Sequence, residues 1–288
     1  LRLGSLLVLA LVVASAAAGA SGRADGNLLL LRGQHVFVVT PAGADVGELT
    51  PPGFDVESAA WSRDGRRVAL GANRHIWVMN ADGSNLRQVT KGALSEGAPA
   101  WSPDGRRIAF SSARTGAEQV WVVPAKGGSL RHVSHRTSSC VDPAWSPDGR
   151  WIAFTCVLGF AKLLVARVSG RTDRVVTHAP DVIAEEDPTW TPDSKTLLFT
   201  RSKGVHLLGV YSVSSGGRGL RRLIAGAREP SVSPDGRRLA FIRESPLGRT
   251  AERLRRACGH VRPDCRSRPG LGQPLAHRWG RGSVPRRG

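Results

Sequence analysis

The chain has 288 residues, with 41 Lys and Arg against 23 Asp and Glu, 34 Gly, 18 Pro, 8 Trp and 1 Met. That length holds one large domain or two ordinary ones, and the composition fits many short strands joined by tight turns, not long helices. The formal charge of +18 is no argument for nucleic-acid binding. Half of it lies after residue 248, where 11 Arg face only Glu252 and Asp264, and nowhere do aromatic and basic residues interleave as a stacking platform requires.

Residues 1–24 have the parts of a secretory signal: Arg2, an apolar core over residues 6–13, and small residues with Ala16-x-Ala18 or Ala18-x-Ala20 as cleavage candidates. The core is shorter than the roughly 20 apolar residues of a spanning helix. Export to the periplasm or the cell exterior is expected, with a membrane tether through an uncleaved signal as the alternative.

A repeated unit follows. Its copies are Ala60-Trp61-Ser62-Arg63-Asp64-Gly65, Ala100-Trp101-Ser102-Pro103-Asp104-Gly105, Ala144-Trp145-Ser146-Pro147-Asp148-Gly149, Thr189-Trp190-Thr191-Pro192-Asp193-Ser194 and Ser231-Val232-Ser233-Pro234-Asp235-Gly236. The Trp-position residues are spaced by 40, 44, 45 and 42, a period that points to propeller blades when the unit is all strand. In each unit a short strand enters a turn in which Pro fixes φ and Gly accepts positive φ, and an apolar run ending in Phe110 or Phe154 pairs back. A third strand (residues 75–79 or 119–123), a second turn and an edge strand (residues 86–90 or 130–134) complete four antiparallel strands. Residues 28–50 align without a gap on residues 68–90 and so form a blade without a Trp-position strand. After Arg243 the pattern stops.

The expected fold is therefore all-β, a propeller of four-stranded antiparallel blades over residues 25–243. A six-blade plan with incomplete first and last blades is preferred, with five blades as the alternative. Residues 244–288, rich in Arg, Pro and Gly, are expected to be a disordered basic tail. Either the tail meets an acidic surface or, the preferred reading, it is not the evolved continuation of the domain, as after a shift of reading frame.

These repeats, together with Ile76-Trp77-Val78-Met79-Asn80-Ala81-Asp82-Gly83, resemble the β-propeller repeat of the TolB family. The resemblance implies a periplasmic scaffold that binds envelope proteins, in part through the propeller mouth, although no α/β domain is read before the first blade. The same repeat builds the gating propeller of prolyl-oligopeptidase-like hydrolases and a propeller-type lyase that uses His and a metal. No Gly-x-Ser-x-Gly elbow occurs, and the nearest His pair, His132 and His135, reads as solvated edge-strand residues.

Three constellations remain. The motif residues Asp64, Asp104, Asp148, Asp193 and Asp235 are expected to fix hairpins, with Trp61, Trp101, Trp145 and Trp190 as structural partners. A second acidic set, Glu57, Glu96, Asp142, Asp187 and Glu229, lies three to five residues before each Trp position. If the Trp strand is innermost in its blade, these five rim the channel and form an acidic mouth for a cation such as calcium or for Lys or Arg of a partner. Cys140 and Cys156 flank the third hairpin nearly opposite one another and are the disulfide candidates. The expectation is thus an exported, monomeric, non-catalytic scaffold without a cofactor, calcium being the one considered. It binds a protein of the cell envelope, or another ligand, at its channel mouth, and no specific nucleic acid. The alternatives are a metal-dependent lyase and the gating propeller of a hydrolase.

Overall fold

The computed structural model describes residues 28–39, 45–92, 94–170, 172–233, 235–245 and 248–255. The expected signal and residues 256–288 of the expected tail lie outside the described residues. Every regular element among the described residues is a β-strand.

The strands form six antiparallel sheets. The first holds β1 (Leu28–Arg32), β2 (His35–Val39) and β3 (Asp45–Glu48). Next come β4 (Val56–Trp61), β5 (Arg67–Ala72), β6 (His75–Asn80) and β7 (Arg87–Gln88), then β8 (Glu96–Trp101), β9 (Arg107–Thr115), β10 (Ala117–Pro124) and β11 (Arg131–His132). The fourth sheet holds β12 (Cys140–Trp145), β13 (Trp151–Leu158), β14 (Phe160–Arg167) and β15 (Asp173–Val175), and the fifth holds β16 (Ala184–Trp190), β17 (Thr196–Lys203), β18 (His206–Ser214) and β19 (Arg221–Ala225). The last holds β20 (Ala227–Val232), β21 (Arg238–Ser245) and β22 (Gly248–Arg255).

This is the propeller the repeats predict. Five sheets place their first strand at the central channel, which gives the five-blade count, and β1–β3 form a sixth sheet with no inner strand. Two expectations are corrected. The preferred six-blade plan gives way to the five-blade alternative, because only five of the described sheets supply an inner strand. The sheet does not end at Arg243, because β22 pairs with β21 from Ser245↔Gly248 to Arg238↔Arg255. Backbone ladders need no particular side chain, so the loss of repeat sequence did not end the strand order.

Each blade hairpin is held by one hydroxyl that both donates and accepts. Ser146 Oγ donates to Asp148 Oδ1 at 2.5 Å and accepts from Trp151 N at 2.9 Å, while Asp148 Oδ1 accepts from Arg150 N at 3.0 Å. Gly149 takes φ 71° in the turn. Ser62 with Asp64, Ser102 with Asp104, Thr191 with Asp193 and Ser233 with Asp235 repeat the Ser/Thr–Asp bond. The five motif aspartates are therefore turn-fixing groups.

The core lies between sheets. Five apolar clusters each join one sheet to the next, as where Ile76 and Val78 meet Ile108 and Phe110, or where Val120 and Val122 meet Ile152 and Phe154. No such cluster joins the last sheet to the first among the described residues. The second Arg of a hairpin also serves these seams. Arg67 lies over Trp101 with its guanidinium carbon 4.5 Å from the ring centroid and donates to Gly105 O at 2.7 Å, and Arg107 lies 4.8 Å over Trp145. Trp101 and Trp190 in turn donate to Ala60 O and Ala144 O of the preceding blades, at 3.1 and 3.0 Å. Arg67 and Arg107 are thus inter-blade clamps, whereas Arg66, Arg106 and Arg150 are exposed.

Candidate acidic channel mouth

The inner strands share one irregularity. Their pairing skips two residues between Gly97 and Ala100, Val141 and Ala144, Glu186 and Thr189, and Arg228 and Ser231. The skipped pairs are Ala98-Pro99, Asp142-Pro143, Asp187-Pro188 and Glu229-Pro230. Each first residue is left-handed, with φ of 48°, 54°, 54° and 51°, a conformation a non-Gly residue holds only when its surroundings impose it. A bulge re-aims its side chain. Here it does so at the same level of successive inner strands.

Three of the five acids expected at the mouth share this position: Asp142, Asp187 and Glu229. The other two do not. Glu96 lies two residues earlier in the register, is 2% exposed, and is bound by Thr90 Oγ1 and Arg114, with His75 Nδ1 at 3.7 Å. It belongs to a buried blade-to-blade network that Glu185, Thr177 and Arg201 repeat two blades on. Glu57 is exposed on β4 and is the single residue its pairing skips, between Val56 and Ser58, while Ser58, at the three-residue offset, stays paired with Gly71 and its Oγ accepts from Ala98 N at 3.0 Å. Sequence distance to Trp grouped the five acids, but only the shared offset of three residues carries the bulge. The Asp-Pro or Glu-Pro dipeptide at that offset was the available signal.

The acids around Asp142 act on it. Burial raises Asp142 to about 6, reinforced by the charges of Asp187, Glu186, Glu118 and Glu229. Burial also raises Asp187, against the opposing effects of the Thr200 hydroxyl, Arg228 and the Glu229 N–H. Thr200 Oγ1 links two bulges, donating to Asp187 Oδ2 at 2.9 Å and accepting from Glu229 N at 3.0 Å. Glu186 is raised by burial and by Asp187. Neither Glu186 nor Glu118 was singled out in the sequence, and both lie next to residues set by the blade register.

Below the mouth lies a channel of about 460 Å³ walled by the inner strands, with Trp61, Trp101, Trp145 and Trp190 in its lining. Its charged lining residues are Asp187 and Glu229 toward the bulge end and Arg63 toward the hairpin end. Among the described residues no group of three or more His, Cys, Asp or Glu is arranged to hold a metal ion. His132 stacks on Trp121 with centroids 4.3 Å apart, and His135 lies edge-on to it at 4.8 Å. Cys140 and Cys156 pair across β12 and β13 and are bonded through sulfur, with Cα atoms 4.1 Å apart.

Blade count, hairpin chemistry and a channel lined by the first strand of each sheet define a β-propeller built from Trp-Ser-Pro-Asp-Gly repeats. The chain belongs to the TolB beta propeller domain family, whose pattern matches residues 50–234. Among solved structures it is similar to one assigned to TolB from Agrobacterium tumefaciens (19% identity, TM-score 0.64, 80% of this chain and 86% of that one). It is also similar to TolB from Acinetobacter baumannii (15%, 0.66, 77% of this chain and 57% of that one) and to an oligogalacturonate lyase in complex with manganese (13%, 0.61, 80% and 74%). At these identities the likeness is one of fold. No curated protein matches by sequence.

Proposed function

We propose that this propeller is a non-catalytic binding scaffold that acts outside the cytoplasm and receives a cationic group of a protein partner at its bulge-lined channel mouth. The observation that carries the reading is the placement of Asp142, Asp187 and Glu229 on three successive left-handed bulges. Partly buried like charges cost free energy that a cation recovers. A Lys or Arg side chain brings its own donors to such a site, whereas a calcium ion needs six to eight converging oxygens. The family assignment is compatible with a scaffold, and the residues of the expected signal and the Cys140–Cys156 bond support an oxidising location. Calorimetric titration with a lysine-rich peptide tests the reading. Binding lost in the Asp142→Asn/Asp187→Asn/Glu229→Gln protein is expected, and equal binding by that variant would contradict it.

A further inference from the structure

The channel has a second pole. Four of the five repeats carry Pro two residues after the Trp position, at Pro103, Pro147, Pro192 and Pro234, but the first carries Arg63. Arg63 lines the channel and its Nη1 donates to Pro147 O at 3.3 Å. Its partner stands at the same level two blades away, so the guanidinium reaches over the end of the channel remote from the bulges. That bond uses one of its five N–H donors. The exposed side chain leaves the others within reach of an anion at that end.

We propose that the channel is a bipolar slot for a short extended peptide end, with a basic residue at Asp187 and Glu229 and the terminal carboxylate at Arg63. The inference rests on the mouth reading above and adds the orientation and chemical class of the ligand. Length supports it: from the bulge to the Arg63 level the chain runs five residues, three of them along the inner strand and two in the turn, at most about 16 Å at roughly 3.3 Å per residue, within the reach of about five extended residues. The wall between the poles is made of Trp and small uncharged residues such as Ala60, Ala100 and Ala144, which suits small uncharged side chains. Arg is the residue whose planar fork matches a carboxylate in two bonds.

The test is calorimetry of the full chain with lysyl-tetraalanine as free acid and as C-terminal amide. The free acid is expected to bind at least tenfold more tightly than the amide, and Arg63→Gln is expected to abolish that difference while the protein keeps its thermal transition. Asp187→Asn/Glu229→Gln weakens both peptides. If amidation and Arg63→Gln each change affinity less than twofold while the acidic-pair variant still loses binding, the bipolar slot is overturned and the mouth reading stands. If neither peptide binds the unmodified protein, the slot is overturned as well.

Discussion

Asp142 is a partly buried carboxylate whose ionisation carries an unusual cost. Its folded pKa is raised to about 6 by burial and by the acids around it, above the roughly 3.9 of an unfolded Asp. A group raised in the folded state adds stability below its unfolded pKa and loses it as pH climbs through its folded one. The protein is therefore expected to lose stability between about pH 4 and pH 6, by at most about 3 kcal/mol from this residue. Urea titrations at pH 4 and pH 8 check this. Asp142→Asn should flatten the difference, and an unchanged pH slope in the variant would assign the effect elsewhere. The same ionisation predicts that affinity for a cationic peptide rises from pH 5 to pH 7. At this scale the sequence was legible for the hairpin aspartates, because Ser-Pro-Asp-Gly states its own turn. It was less so for the acids, since a bulge removes two residues from the pairing and a plain count back from Trp does not see it. Glu96 and Asp142 looked alike by spacing and ended in different environments.

The hairpin is the unit that carries the fold. Ser146 Oγ joins Asp148 to the N–H of Trp151, so Ser146→Ala leaves an acceptor and a donor without their partner and is expected to cost about 1–2 kcal/mol. Ser146→Thr should restore most of it, because Thr191 fills the same role in the next blade at 2.6 Å from Asp193. The disulfide acts on the same sheet. Cys140 and Cys156 close a loop with a sequence separation of 16, and for a loop near that length the unfolded chain loses entropy worth about 3 kcal/mol. Replacing both by Ser is expected to lower the denaturant midpoint by that order. Reductant should reproduce the effect in the unmodified protein and have none in the variant. In two other blades the corresponding cross-strand positions hold Glu96 opposite Ser112 and Glu185 opposite Arg201, so the disulfide stands where those two blades place polar partners. Strand existence and order up to β21, and the hairpin register, were readable from the forty-odd residue period, whereas β22 was not. The clamp role of Arg67 and Arg107 was not, because it depends on the Trp of the following blade.

The molecule as a whole is a row of six sheets sealed by five apolar seams. Its two faces differ. One carries the hairpin cations Arg66, Arg106, Arg150, Lys195 and Arg237, all exposed. The other carries the acidic bulges, with exposed Val157, Phe160 and Val205 at the hairpin tips that share that side. A basic chain that also excludes apolar surface would read this second face. The period made the propeller legible; the polarity of its channel was not, since it arises from one departure, Arg63 for Pro, and from one bulge per blade. The most direct check of the central claim is a calorimetric titration of the full chain with a lysine-rich peptide, at pH 7 and moderate salt, beside the Asp142→Asn/Asp187→Asn/Glu229→Gln protein. The account predicts saturable binding to the unmodified chain that weakens at least tenfold in the variant, and equal affinity for the two proteins would contradict it.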